Sequence, residues 1–188
     1  MPSVVGGGIR RIRAVHGDFL GVGPEGSPAR GIRTAVLAYA GGMLLALIRH
    51  GQTDWNLDGR MQGRTDIPLN EIGREQALAA TSALAGERWD AVVSSPLGRA
   101  RETAEIIAAT LGVPLGTSYD ELVEQDFGAA EGTLVADLDV RWPDRDFADK
   151  EPDDEVGPRG IRGLERIGRD HPGARVLAVA HEIGRAHV

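Results

Sequence analysis

The stretch Leu44-Leu45-Ala46-Leu47-Ile48-Arg49-His50-Gly51 decides how this chain is read. Five apolar residues make a run of strand length, and it gives way at once to a cation, an imidazole and a glycine. Two more apolar runs end in the same manner. Ala91-Val92-Val93 stops at Ser94-Ser95-Pro96, and residues 176–180 stop at His181. Between these runs the period changes. Glu71–Leu84 carries Ile72, Ala77, Leu78 and Leu84 at helical spacing behind Asn70 as N-cap. Gly98–Leu111 puts Ala100, Thr103, Ala104 and Ile107 on one face and meets Gly112 as a stop. Residues 155–170 predict a third helix, weakened by four glycines, and residues 120–142 read as loop. Strands alternating with helices predict an α/β domain with a mainly parallel sheet. The carboxyl ends of parallel strands share one edge, where ligands bind, so Arg49-His50, Ser94-Ser95 and His181 can meet there.

Composition narrows the chemistry. The chain has 188 residues, enough for one domain with a proper core. It contains no cysteine, which removes disulfides, thiolate metal sites and cysteine nucleophiles. Residues 1–42 hold five arginines against Asp18 and Glu25, and the rest of the chain is strongly acidic within a net charge of −7. The body therefore has no general basic footprint for nucleic acid, and an anion must be met by a few placed arginines. Residues 1–42 also carry ten glycines and few large apolar side chains, which predicts a disordered leader or a mis-assigned start, with Met43 as the expected true start; the alternative is a short structural arm. The apolar residues 35–48 are too few to span a membrane and are interrupted by Gly41-Gly42, so the body reads as cytoplasmic.

A neutral imidazole is a good nucleophile toward phosphorus, and a phosphohistidine splits one hard transfer into two easier ones. Arg49 offers a planar fork of donors suited to phosphate, Gly51 lets backbone approach an anion, and Asn56 adds a donor. Each residue alone has a plainer reading. Arg-His-Gly is commonly a strand-end turn, His181 a core-edge histidine, and Arg99 and Arg101 solvated residues of a helix start. Trp55, Trp89 and Trp142 read as packing.

The blocks together resemble the histidine phosphatase superfamily, in its phosphoglycerate-mutase-like branch. Residues 47–56, Leu-Ile-Arg-His-Gly-Gln-Thr-Asp-Trp-Asn, are similar to that family's nucleophile loop. Gly59-Arg60-Met61-Gln62-Gly63 and Asp66-Ile67-Pro68-Leu69-Asn70-Glu71-Ile72-Gly73 are similar to its next block. Ser94-Ser95-Pro96-Leu97-Gly98-Arg99-Ala100 resembles the segment of the second arginine, Glu121-Leu122-Val123-Glu124 the acid loop, and Val179-Ala180-His181 the second histidine. The resemblance implies a three-layer sandwich whose mainly parallel sheet is flanked by helices. It implies a metal-independent phosphoric monoester hydrolase of the histidine acid type, with no cofactor. The catalytic set would be His50, Glu124, Arg49 and His181, and the phosphate-binding set Arg49, Asn56, Gln62, Gly63, Arg99 and His181. Glu121, Asp126 and Glu131 compete with Glu124 for the acid role.

The expected partner is a small phosphorylated metabolite, not nucleic acid or a membrane, and a homodimer is left open. Residues 59–69 are similar to the phosphatase members of the family rather than to its mutases, so hydrolysis is expected. Phosphoglycerate-mutase-type transfer and a non-catalytic phospho-ligand-binding module are the alternatives. Two departures stand out: Glu151-Pro152-Asp153 occupies the place of a Gly-Glu-Ser-like turn, and Ala129-Ala130 the place of an aromatic. Residues 43–181 are expected to form the phosphatase domain, incomplete at its C-terminus, and residues 182–188 an artefactual tail.

Overall fold

The computed structural model describes residue 32, residues 34–38 and residues 42–182. The strands are β1 (Thr34–Ala38), β2 (Leu44–Arg49), β3 (Ala91–Ser94), β4 (Leu115–Ser118) and β5 (Arg175–Ala180), in the sheet order β1-β2-β5-β3-β4. β2, β5, β3 and β4 run parallel, and β1 is antiparallel to β2 at one edge. The helices are α1 (Asp54–Leu57), α2 (Glu71–Leu84), α3 (Gly98–Leu111), α4 (Leu138–Arg141) and α5 (Asp153–Asp170). No described helix is long and apolar enough to cross a membrane.

Alternation along the strands divides the core into two layers. Ala46 and Ile48 of β2 and Leu177 and Val179 of β5 pack against Ala77, Ala80 and Leu84 of α2 and Ala104 and Ile107 of α3. Leu45 of β2 and Val176 and Ala178 of β5 pack against Leu164 and Ile167 of α5 on the opposite face. The three-layer α/β sandwich is therefore present. Asn70 starts α2 by accepting from Gly73 N at 2.9 Å, and Gly112 ends α3 at φ 65°. α3 lacks a capping side chain of its own; both carboxylate oxygens of Asp66, from the loop before α2, accept from Gly98 N at 2.9 Å.

Three expectations are corrected. Thr34–Ala38 lies within the span read as an unstructured leader, yet it forms β1, with Thr34 opposite Ile48 and Ala38 opposite Leu44. The edge of β2 offers unpaired backbone groups that this segment satisfies, a gain invisible in its composition. Ile32 is buried in the core beside Ala46 and Ile48; residues 1–31, 33 and 39–41 of that expectation lie outside the described residues. α2 buries Gly73, Ala77, Ala80, Thr81 and Leu84, whereas Ile72 and Leu78 are exposed. Residues 120–142, read as loop, contain three 3₁₀ turns and α4. Two short elements, β4 and α1, were not anticipated.

One close approach fixes the loop after β2. A Cβ on Gly73 would lie 2.1 Å from Gln52 O and 2.8 Å from Gln52 N, and a Cβ on Gly51 would lie 2.3 Å from Gly73 O. Backbone cannot yield as a side-chain tip can. Gly73→Ala is expected to cost about 3 kcal/mol and to lower the melting temperature by roughly 6–12 °C in a calorimetric scan.

Candidate active site

The sheet order places β5 between β2 and β3, so three polar strand ends become neighbours. His50 N donates to Ala180 O at 3.0 Å, and Ser95 N donates to Val179 O at 2.8 Å. His50 and His181 then meet edge to face with ring centroids 5.1 Å apart. Both imidazoles are buried.

His50 has a defined tautomer. Its Nδ1 lies 2.7 Å from Gly51 O, so Nδ1 carries the proton and donates, and Nε2 keeps its lone pair. Arg99 Nε donates to that Nε2 at 3.2 Å. Burial pushes the His50 pKa down to about 3, the Arg99 charge pushes in the same direction and Arg49 adds less, against the Gly51 carbonyl. The ring is neutral at physiological pH. His181 is lowered as well, first by burial and then by Arg99. Its Nε2 lies 2.8 Å from Ser95 Oγ, and Ser95 Oγ is 3.4 Å from the donor Leu97 N.

Arg99 is fully buried. Its Nη2 donates to Gly63 O at 2.8 Å and its Nη1 to Thr65 O at 3.1 Å, with Asp66 Oδ1 3.9 Å from Nη1. Carbonyls satisfy the guanidinium without cancelling its charge, so the floor of the site stays positive. Arg49 ends β2, and its Nη2 is 3.9 Å from Glu182 Oε2. Three buried side-chain nitrogens here have no hydrogen-bond partner among the described residues: Arg49 Nε, Gln62 Nε2 and His181 Nδ1. Buried polar groups are nearly always paired, so three orphans around one imidazole mark a place built for an acceptor.

A cavity of about 1010 Å³ opens above this floor, and Arg49, His50, Asn56, Gln62 and Glu124 are in its wall. Asn56 Oδ1 accepts from Thr53 N at 3.1 Å and Asn56 N donates to Thr53 Oγ1 at 3.2 Å, which caps α1 and holds the residue at the rim. Thr53 Oγ1 is also 3.1 Å from Gln62 Oε1, which orients the Gln62 amide. Gly63 contributes its carbonyl to Arg99, and a Cβ there would meet Glu131 Oε1 at 1.9 Å.

The four carboxylates of the acid segment separate by environment. Desolvation raises the Glu124 pKa, against donation from Gln125 N at 2.9 Å and the charges of Arg99 and Arg49. Glu131 accepts from Arg64 N and Thr65 N at 2.8 Å, from Thr65 Oγ1 and from Phe127 N. Burial opposes its ionisation, but these bonds hold it below the usual carboxylate range. Glu121 pairs with Arg166, and Asp126 accepts from Gly128 N with Arg64 nearby. Of the three glutamates, Glu121 and Glu131 are held below the usual carboxylate range and Glu124 alone is raised.

Sequence reasoning named His50, Arg49, Arg99, His181, Asn56, Gln62, Gly63 and Glu124, and the structure gathers them around one cavity and its floor. It missed Ser95 as a partner of His181, and Thr103, whose Oγ1 accepts from Gly51 N at 3.1 Å and donates to Arg99 O at 2.8 Å. It also missed Glu131 as a clamp on the Arg64-Thr65 turn. Arg101 pairs with Glu105 along the exposed face of α3, as the surface reading had it. Trp89 packs on the core and Trp142 against Phe147. Glu182, placed in the expected tail, lies beside Arg49 and Glu124, its N–H 3.4 Å from Glu124 Oε2; residues 183–188 lie outside the described residues.

Known proteins resemble this arrangement. The chain is 41% identical over 137 residues to the uncharacterized phosphatase PhoE of Bacillus subtilis, covering 73% of this chain and 70% of that protein. It is 34% identical over 159 residues to a metal-independent phosphoserine phosphatase of Arabidopsis thaliana, covering 73% and 63%. Among solved structures, Bacillus stearothermophilus YhfR aligns with a TM-score of 0.67 at 32% identity over 75% of each chain. A mycobacterial glucosyl-3-phosphoglycerate phosphatase complexed with VO3 aligns with a TM-score of 0.65 at 31% identity, covering 72% of this chain and 74% of that one. The model of the histidine phosphatase superfamily (branch 1) matches residues 45–183. The chain belongs to that superfamily.

Proposed function

We propose that this protein hydrolyses a small phosphomonoester through a phosphohistidine on His50, with Glu124 as proton donor. The observation that carries the reading is the set of buried nitrogens without partners among the described residues, Arg49 Nε, Gln62 Nε2 and His181 Nδ1, around a neutral His50. Phosphoryl transfer needs positioning and stabilisation of charge on three equatorial oxygens, and this set supplies donors in number and type. His50 Nε2 attacks in line. Arg99 Nε, which meets the Nε2 lone pair in this structure, turns to the better acceptor that an anionic oxygen offers. Ser95 donates to His181 Nε2 and so leaves the proton on Nδ1, facing the anion. Glu124, its pKa raised by desolvation, gives its proton to the leaving oxygen, then takes one from the water that attacks the phosphohistidine.

Arginine and imidazole donors do the neutralising in this scheme, so activity is expected to be unchanged by EDTA. With water as acceptor, reaction in ¹⁸O-labelled water should release inorganic phosphate carrying one labelled oxygen, measured by mass spectrometry. Formation of 2-phosphoglycerate from 3-phosphoglycerate without labelled phosphate would instead assign the chain to phosphoryl transfer. Capture of phosphate esters with no turnover would make it a binding module.

A further inference from the structure

The acid segment makes few hydrogen bonds of its own. Leu122 N and Val123 N close a single 3₁₀ turn, and beyond it the backbone runs extended at Val123, with φ −61° and ψ 151°. What holds its carbonyls is one side chain from α5. Arg159 Nη1 donates to Glu121 O at 2.9 Å and to Val123 O at 2.7 Å, and Nη2 lies 3.5 Å from Glu124 O. Its remaining donors form a two-pronged pair with Glu151, Nε to Oε1 at 2.7 Å and Nη2 to Oε2 at 2.9 Å. The two side chains are 14% and 9% exposed, so the pair is close to buried.

Glu151 extends the link in the other direction. Its Oε2 accepts from Asp126 N at 3.2 Å and from Arg64 Nη2 at 3.2 Å, and its main chain bonds Gln125 Nε2 and Asp126 O. Burial works against its ionisation, but the Arg159 and Asp126 hydrogen bonds and the charges of Arg159 and Arg64 keep it below the usual carboxylate range. Arg64 sits between Gly63 and Thr65, whose carbonyls hold Arg99. Arg159 and Glu151 thus tie the turn that seats Arg99 to the segment that carries Glu124.

We propose that Arg159 is a positioning residue that sets the place of the Glu124 carboxyl over the leaving group, with Glu151 as the anion that orients its fork. This rests on the reading of Glu124 as proton donor. Lysine cannot replace it, because a single ammonium cannot bridge three carbonyls and a carboxylate in one plane. Positioning has a kinetic signature distinct from loss of fold. A displaced acid harms esters whose leaving oxygen needs a proton and spares those whose leaving group departs as a stable anion.

The test compares Arg159→Lys, Arg159→Ala and Glu124→Gln on an alkyl phosphate and on p-nitrophenyl phosphate, with circular dichroism melts as the fold control. Both Arg159 variants should lose about 10- to 100-fold in kcat on the alkyl ester, change by less than about threefold on the nitrophenyl ester, and keep KM within about twofold. The alkaline limb of kcat should also move to lower pH as Glu124 gains solvent. Arg159→Lys, which retains a charge for Glu151, decides the matter if the alanine variant does not fold. Equal losses on both esters, or none, while Glu124→Gln keeps the leaving-group dependence, would overturn the positioning role alone. Absence of that dependence in Glu124→Gln would overturn the assignment of the acid itself.

Discussion

Replacing His50 with alanine is expected to lower phosphatase turnover by about 10,000-fold or more while leaving the fold and the oxyanion site in place. The size follows from what the ring alone provides. Its Nδ1–H is committed to Gly51 O, so Nε2 is the single lone pair aimed at the floor of the cavity, beside Arg99. Burial and the neighbouring guanidiniums hold its pKa near about 3, so at neutral pH nearly every molecule carries the nucleophilic form. Ser95 and His181 do not stand in, because Ser95 Oγ and His181 Nε2 are engaged with each other. The variant should still bind inorganic phosphate or vanadate, since Arg49, Arg99, Gln62 and His181 remain. Rapid quench into alkali, which preserves a phosphorus–nitrogen bond, should trap label from a ³²P-ester on the wild type and none on His50→Ala. Undiminished labelling of the variant would move the nucleophile elsewhere.

Much of this was legible in the chain because local and long-range signals agree. α2 and α3 were bounded correctly because Asn70 and Gly112 act through their own backbone neighbours, and short-range geometry is written in short-range sequence. β2, β3 and β5 were legible as apolar runs, and their polar ends pointed to one edge once the strands were taken as parallel. What escaped depends on partners far away. β4, Leu-Gly-Thr-Ser, has the composition of a turn and is a strand through its pairing to β3. β1 exists through the edge that β2 offers. The outward face of Ile72 and Leu78 could not be read from apolarity, because a stripe of Gly, Ala and Thr is what allows α2 to approach α3 and the loop after β2 closely. Glu131 entered as a competitor for the acid role, and Arg159 was not singled out. Glu131 acts on the backbone of residues 64 and 65 and Arg159 on that of residues 121 and 123, 36 to 67 residues away along the chain, and no spacing rule reports such contacts.

Glu124→Gln is expected to slow hydrolysis of an alkyl phosphate by about 100- to 1,000-fold and to leave p-nitrophenyl phosphate near its wild-type rate. The argument runs through the sign of the pKa shift. Desolvation lifts Glu124 above the ordinary carboxylate value and outweighs the Gln125 and Glu182 N–H donors and the charges of Arg99 and Arg49. A phosphate dianion in the same cavity lifts it further, because like charge disfavours ionisation. A group with a raised pKa is an acid below that pKa and loses its proton above it, so kcat should fall as pH rises through it. His50 works in the opposite sense: it attacks when neutral, so activity should fall only as pH drops toward about 3. Together they predict a bell-shaped profile on the alkyl ester, with its acid limb from the imidazole and its alkaline limb from the carboxyl. Glutamine cannot titrate, so the alkaline limb should vanish in the variant while the acid limb stays. An alkaline limb of unchanged position in Glu124→Gln, with unchanged alkyl-ester rates, would hand the proton to another group in the wall.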